Sequence, residues 1–134
     1  MNTLNLLKQL VSINSTFPNE EEISKFLVNY LEKLGFKVEI VKTEKNRPNI
    51  VATFGTAKKY IGFYGHMDTV PIDKNYIFNP LSIGVKDNLV YGLGVSDMKG
   101  GITAILKTAE FASQENLPIQ IICGVEEEIF PKCS

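Results

Sequence analysis

Apolar residues at the start of the chain recur every three or four positions. Leu4, Leu6, Leu7, Leu10, Val11 and Ile13 share that spacing, which predicts a short amphipathic helix ending near Asn14. Thr16-Phe17-Pro18-Asn19 is turn material. Asn19 followed by Glu20, Glu21 and Glu22 reads as a helix start whose acidic first turn complements the helix dipole. Ile23, Phe26, Leu27, Tyr30, Leu31 and Leu34 then form one apolar stripe, with Gly35 as the C-terminal stop. Beyond it the period changes to two. Residues 36–40 alternate and predict a strand with one wet face, and residues 48–54 predict a second; the two are expected to form an edge hairpin. Gly55 and the polar run to Lys59 make a turn. Residues 60–65 are apolar almost throughout, as expected of a buried central strand. An irregular stretch runs from Thr69 to about Leu81, and residues 89–92 predict a short strand. Residues 98–113 carry Ile102, Ile105, Leu106, Ala109 and Phe111 on a helical period, and residues 118–124 form another buried strand. A strand, helix, strand unit with a right-handed crossover predicts an α/β fold with a mostly parallel sheet.

Composition narrows the function. A chain of 134 residues with 44% hydrophobic and 22% charged residues is one soluble domain's worth of sequence. Fourteen basic and fifteen acidic residues leave a net charge of −1, so no strong field attracts nucleic acid or an anionic membrane. The first residues lack a basic region ahead of an apolar run, and no stretch reaches membrane-spanning length, so the expected location is the cytoplasm. Cys123 and Cys133 are too few for a disulfide framework and are expected to be free thiols.

The polar clusters fall directly after two of the expected strands. His66-Met67-Asp68 follows one, Glu126-Glu127-Glu128 follows the other, and Asp97 lies between a Gly-containing turn and the long helix. Ligands of open α/β sheets bind at the carboxyl ends of strands, where these groups would converge. A metal that activates water needs imidazole and carboxylate ligands with open positions. His66 supplies the imidazole; Asp68 is placed to orient its ring; Asp97 and the glutamates supply oxygen, with one carboxylate left over to move a proton. Singly, each feature has a plainer explanation. A lone histidine is commonly a satisfied polar residue, an acidic triplet a solvated turn, and an aspartate before a helix an N-cap.

Together the segments resemble a known family. Residues 65–71 (Gly-His-Met-Asp-Thr-Val-Pro) look like the first metal signature of the M20 zinc peptidases and deacylases, the group of acetylornithine deacetylase and succinyl-diaminopimelate desuccinylase. Residues 92–101, with Ser96-Asp97-Met98-Lys99, resemble the second signature, and Val125-Glu126-Glu127-Glu128 the third. Asp68 and Asp97 stand 29 positions apart, Asp97 and Glu127 30 apart, in family order. The resemblance implies a three-layer α/β/α zinc-exopeptidase-like catalytic domain and two zinc ions, with cobalt as a substitute. It makes His66 a ligand of the first ion, Asp97 the bridging ligand and Glu128 a ligand of the second. Asp68 becomes the carboxylate behind His66, and Glu127 the general base. A cis peptide after Asp97 is implied as well. Leu93, Cys123 and residues 129–134 depart from the family pattern.

The implied reaction is hydrolysis of the amide bond of an N-acyl amino acid, with a di- or tripeptidase as the alternative. A family member needs a further carboxylate, a second histidine and a lid or dimerisation domain, whereas His66 is the only histidine here. Residues 1–134 are therefore expected to be the N-terminal portion of the metal-binding domain, incomplete at the C-terminus. Homodimerisation is expected only of a full-length chain, and a fragment inactive by itself is a third reading.

Overall fold

The computed structural model describes residues 2–43 and 47–128. Cys133 and the departures at residues 129–134 lie outside them.

Helix α1 spans Thr3–Ser12, and its N-terminus is capped by the Asn2 side chain, which accepts the Leu4 N–H at 2.8 Å. Leu6, Leu10 and Val11 bury its inner face. Helix α2 spans Glu21–Lys33 and buries Ile23, Leu27 and Leu31. It ends as the sequence predicts. Gly35 takes φ +87, its N–H bonds the Glu32 carbonyl, and the Phe36 N–H reaches back to the Leu31 carbonyl. This is a Schellman closure, which needs a left-handed residue that only glycine adopts without penalty. The start of α2 differs from expectation. Asn19 donates its N–H to Thr16 and closes the preceding turn, while Glu20 occupies the capping position without making a side-chain cap bond. An ion pair described below holds the Glu20 carboxylate instead.

Strands β1 (Lys37–Lys42), β2 (Pro48–Phe54), β3 (Ile61–His66) and β6 (Ile119–Gly124) form one sheet in the order β1-β2-β6-β3. A small hairpin of β4 (Gly84–Lys86) and β5 (Leu89–Tyr91) stands apart. Its turn residues Asp87 and Asn88 both have positive φ, as a two-residue hairpin turn requires. An irregular turn, Val95–Lys99, leads into helix α3, Gly100–Glu115.

The expectation of a mostly parallel sheet is corrected. Among the described residues of this sheet only β3 and β6 run parallel; β1–β2 and β2–β6 are antiparallel. A parallel pair needs a long crossover, and only the segment between β3 and β6, which contains α3, supplies one. Residues 60–65 are also not the central strand. Strand β6 inserts between β2 and β3, leaving the apolar run at an edge with Ile61 68% and Tyr64 59% exposed. The edge hairpin of β1 and β2 forms as expected.

Ile50 and Ala52 of β2 and Ile119, Ile121 and Cys123 of β6 share one face of the sheet and meet the buried sides of all three helices in one core. Phe111, expected on the inner face of α3, is 56% exposed, because Ala109 and Ala112 take the inward positions there. On the opposite face Val51, Ile122 and Tyr64 have no helix over them among the described residues, so the second helical layer of an α/β/α sandwich is not among those residues. No helix among the described residues is long and apolar enough to cross a membrane.

Candidate metal centre

The parallel register of β3 and β6 sets His66 opposite Gly124, and the Met67 N–H donates to the Gly124 carbonyl at 2.8 Å. Two chains leaving neighbouring parallel strands at the same end bring residues 66–68 and 125–128 to one rim.

The His66 ring is buried. Its Nδ1 lies 2.9 Å from the backbone carbonyl oxygen of Asp68, which can only accept, so Nδ1 carries a proton and Nε2 faces outward. Nε2 sits 2.9 Å from Asp97 Oδ1 and 3.9 Å from Glu127 Oε2. Burial alone would lower the ring's pKa. The Asp97 bond, the Asp68 carbonyl bond and the charges of Asp68 and Asp97 outweigh it and raise the value.

Asp97 is held in place by the turn before α3. Gly94 takes φ +73, and a methyl group there would meet Thr69 Cγ2 at 2.6 Å. The Lys99 N–H returns to the Gly94 carbonyl at 2.7 Å, and the Asp97–Met98 peptide is cis. Asp97 is not a helix cap, since α3 starts at Gly100 with Lys99 in the capping position. Its carboxylate projects outward, 71% exposed, toward His66. Two neighbours anchor the turn. Met98 Sδ accepts the His66 backbone N–H at 3.3 Å. Lys99 is buried and donates from Nζ to the Ile13 carbonyl at 2.7 Å, with burial pushing its pKa down to about 8.

The glutamates are pinned from three sides. Val125 N–H donates to Asn49 Oδ1 at 3.0 Å, Arg47 Nη1 donates to Glu126 Oε1 at 2.8 Å, and Glu128 N–H donates to Asp68 Oδ2 at 2.8 Å. Arg47 also grips Glu20 through Nε, at 3.0 Å, and through Nη2, and its guanidinium lies 4.4 Å from the centre of the Phe17 ring. Burial opposes its charge, but Glu20 and Glu126 more than compensate, and its pKa rises.

The structure thus brings His66, Asp97 and Glu128 together: one ligand atom from each lies within 4.8 Å of the others. Glu127 stands at the same rim, half exposed. Asp68 lies behind them, fully buried. Its Oδ1 makes no hydrogen bond and comes 3.8 Å from His66 Nδ1, so in this geometry the ring is oriented by the Asp68 carbonyl rather than by its carboxylate. Burial and the charge of Asp97, with smaller contributions from Glu127 and Asp68, raise the Glu128 pKa against the pull of His66. Imidazole and carboxylate donors converging at this distance, beside a buried carboxylate oxygen without a partner, fit a divalent cation. A cavity of about 590 Å³ lies elsewhere, lined by Phe17, Pro18, Ile40, Pro48 and the Glu20–Arg47 pair. None of the three converging donors lines it, so the chemistry of the rim marks the site and cavity volume does not.

Sequence reasoning missed Arg47, Lys99 and the Met98 thioether. Arg47 alone carried a signal, as the only arginine among fourteen basic residues.

The sequence model of peptidase family M20/M25/M40 matches residues 62–132. The chain is 33% identical over 124 residues to acetylornithine deacetylase of Vibrio parahaemolyticus, covering 87% of this chain and 33% of that protein. It is 31% identical over 131 residues to a probable succinyl-diaminopimelate desuccinylase of Staphylococcus aureus, covering 93% and 32%. Its fold matches that of an M20 family metallo-carboxypeptidase from Sulfolobus solfataricus with a TM-score of 0.80 at 24% identity, covering 92% of this chain and 31% of that one. The chain spans about a third of the length of the curated relatives it matches.

Proposed function

The chain belongs to peptidase family M20/M25/M40, and from that footing we propose that it carries part of a two-metal centre that hydrolyses the amide bond of an N-acyl amino acid. The convergence of His66, Asp97 and Glu128 is the observation that carries this reading. The acetyl- and succinyl-removing activities named for its relatives support the substrate class.

When bound, a pair of zinc ions, or cobalt in their place, would acidify a shared water and polarise the amide carbonyl. His66 through Nε2, Asp97 and Glu128 are the residues that would hold them. The Asp68 carbonyl keeps the proton on Nδ1, and the buried Asp68 carboxylate adds negative charge behind the ring. Glu127 takes the proton from the attacking water and returns it to the leaving amine as the C–N bond breaks and the C–O bond forms. Its half-exposed carboxylate is accessible for that exchange. The remaining ligands, the lid and dimerisation domain and any homodimer contact belong, in this reading, to sequence beyond these residues. The family's peptidase description favours a di- or tripeptidase as the alternative, and a chain inactive by itself is the third.

Calorimetric titration with Zn²⁺ tests the centre, and amine release from N-acetyl- and N-succinyl-amino acids against dipeptides tests the substrate class. H66A is expected to abolish metal uptake. E127Q is expected to keep it while lowering turnover by roughly 10²–10⁴. Zn²⁺ uptake unchanged in H66A would overturn the metal centre. Dipeptide cleavage without deacylation would overturn the substrate class. Metal uptake without turnover of either substrate would favour the third reading.

A further inference from the structure

Residues 125–128 follow β6 and belong to no regular element, yet two of their side chains must point accurately for the centre to form. Glu126 has φ +74, a left-handed backbone that disfavours any residue with a Cβ. Its side chain meets Arg47, which is 6% exposed and held in turn by Glu20, itself 1% exposed. A fixed, buried guanidinium therefore grips the one residue at which the segment changes direction, immediately before Glu127 and Glu128.

We infer that Arg47 is a positioning residue: by holding the Glu126 carboxylate it fixes the left-handed turn that aims Glu127 and Glu128 at His66 and Asp97. The geometry stands by itself; the consequence for metal binding rests on the reading proposed above. Electrostatics alone predicts little change when Arg47 and Glu20 are neutralised together, because one positive and one negative charge are lost and the summed charge beside the cation site stays the same. Positioning predicts that binding weakens.

Arg47→Met alone would strand the buried Glu20 charge and endanger the fold. The test therefore uses E20Q/R47M, which removes both buried charges together, and E20Q/R47M/E126G, in which glycine adopts φ +74 without help. The probe is Co²⁺ alone, followed by its d–d absorption on the 134-residue chain. E20Q/R47M is expected to bind Co²⁺ roughly 10–100-fold more weakly than the wild type, the range typical for groups that orient metal ligands. The added E126G is expected to restore binding to within about threefold, because it supplies the backbone conformation without the guanidinium. Unchanged or tighter binding in E20Q/R47M would overturn the inference, as would failure of E126G to restore it. Should the wild-type chain take up no Co²⁺, the metal-centre reading falls, and amide exchange at Glu128 decides the role of Arg47. That N–H is bonded to Asp68 Oδ2. It is expected to exchange roughly tenfold faster in E20Q/R47M and to recover with E126G. Equal rates in the wild type and E20Q/R47M would refute the positioning role.

Discussion

Replacing Cys123 by valine should change how stability depends on pH. The thiol is 1% exposed on β6, between Ile50 and Gly65 of the neighbouring strands, and burial pushes its pKa from an ordinary 9.0 up to about 12. An unfolded chain ionises this thiol near pH 9, whereas the folded chain cannot until about pH 12. The thiol's contribution to stability is thus fully present below pH 9 and is lost as pH rises toward 12. At about 1.4 kcal/mol per pH unit, roughly 2 kcal/mol has gone by about pH 10.5. Lys99 acts in the reverse sense. Its pKa falls from 10.5 to about 8, so its buried charge burdens the fold at neutral pH and is relieved as the pH climbs. The two nearly cancel, and the wild type alone should look almost flat between about pH 8 and 10.5. C123V leaves Lys99 and every other titrating group in place and removes only the thiol, so the difference between the proteins isolates it. Urea unfolding followed by circular dichroism should show C123V gaining roughly 2 kcal/mol on the wild type between about pH 8 and 10.5. A difference constant within about 0.5 kcal/mol would refute the buried thiol, and with it the strand register that places His66 beside Gly124.

Three further outcomes are expected. Gly94→Ala introduces both a left-handed strain and a contact at 2.6 Å with Thr69 Cγ2; it should cost about 1–3 kcal/mol in thermal unfolding, whereas Gly62→Ala, with nothing within 4 Å, should not. Leu106→Ala, at a fully buried position of α3, should cost about 2–5 kcal/mol in urea, and Phe111→Ala less than about 0.5, although the sequence places both on one helical stripe. Zn²⁺ at about a hundred times its dissociation constant should stabilise the wild type by roughly 2.7 kcal/mol, and H66A not at all; an equal shift in both proteins would place the ion elsewhere.

Local rules served where local physics decides. The helical stripes of α1 and α2, the glycine that closes α2 and the hairpin of β1 and β2 all follow from residues within a few positions of one another. Strand order does not. Residues 60–65 are as apolar as a central strand, but which strand becomes central is decided by where β6 inserts, and β6 lies more than fifty residues later. Residues 89–92 predict β5, but its partner β4 and the Asp87-Asn88 turn that makes the pair a hairpin escape notice, because a three-residue strand of exposed positions carries too short a pattern to register.

The candidate donors were legible for a reason that does not extend to what holds them. His66, Asp97 and the glutamates fall at the ends of strands or before a helix, where chemistry is expected, and their order resembles a family. The groups that aim them interact across long separations: Arg47 reaches Glu126 over 79 positions, and Lys99 reaches the Ile13 carbonyl over 86. No periodicity links such pairs. They are charged residues in buried positions, which hydrophobic patterning reads as surface, and their burial is tolerable only because each meets its partner. A lone arginine just ahead of a strand and a lysine just ahead of a helix look like solvated punctuation in one dimension. In three dimensions each is buried at one of the two turns that carry Asp97 and Glu128, Lys99 bonded to the Ile13 carbonyl and Arg47 to Glu126. The surroundings of the rim therefore include two buried cations that no local rule selects.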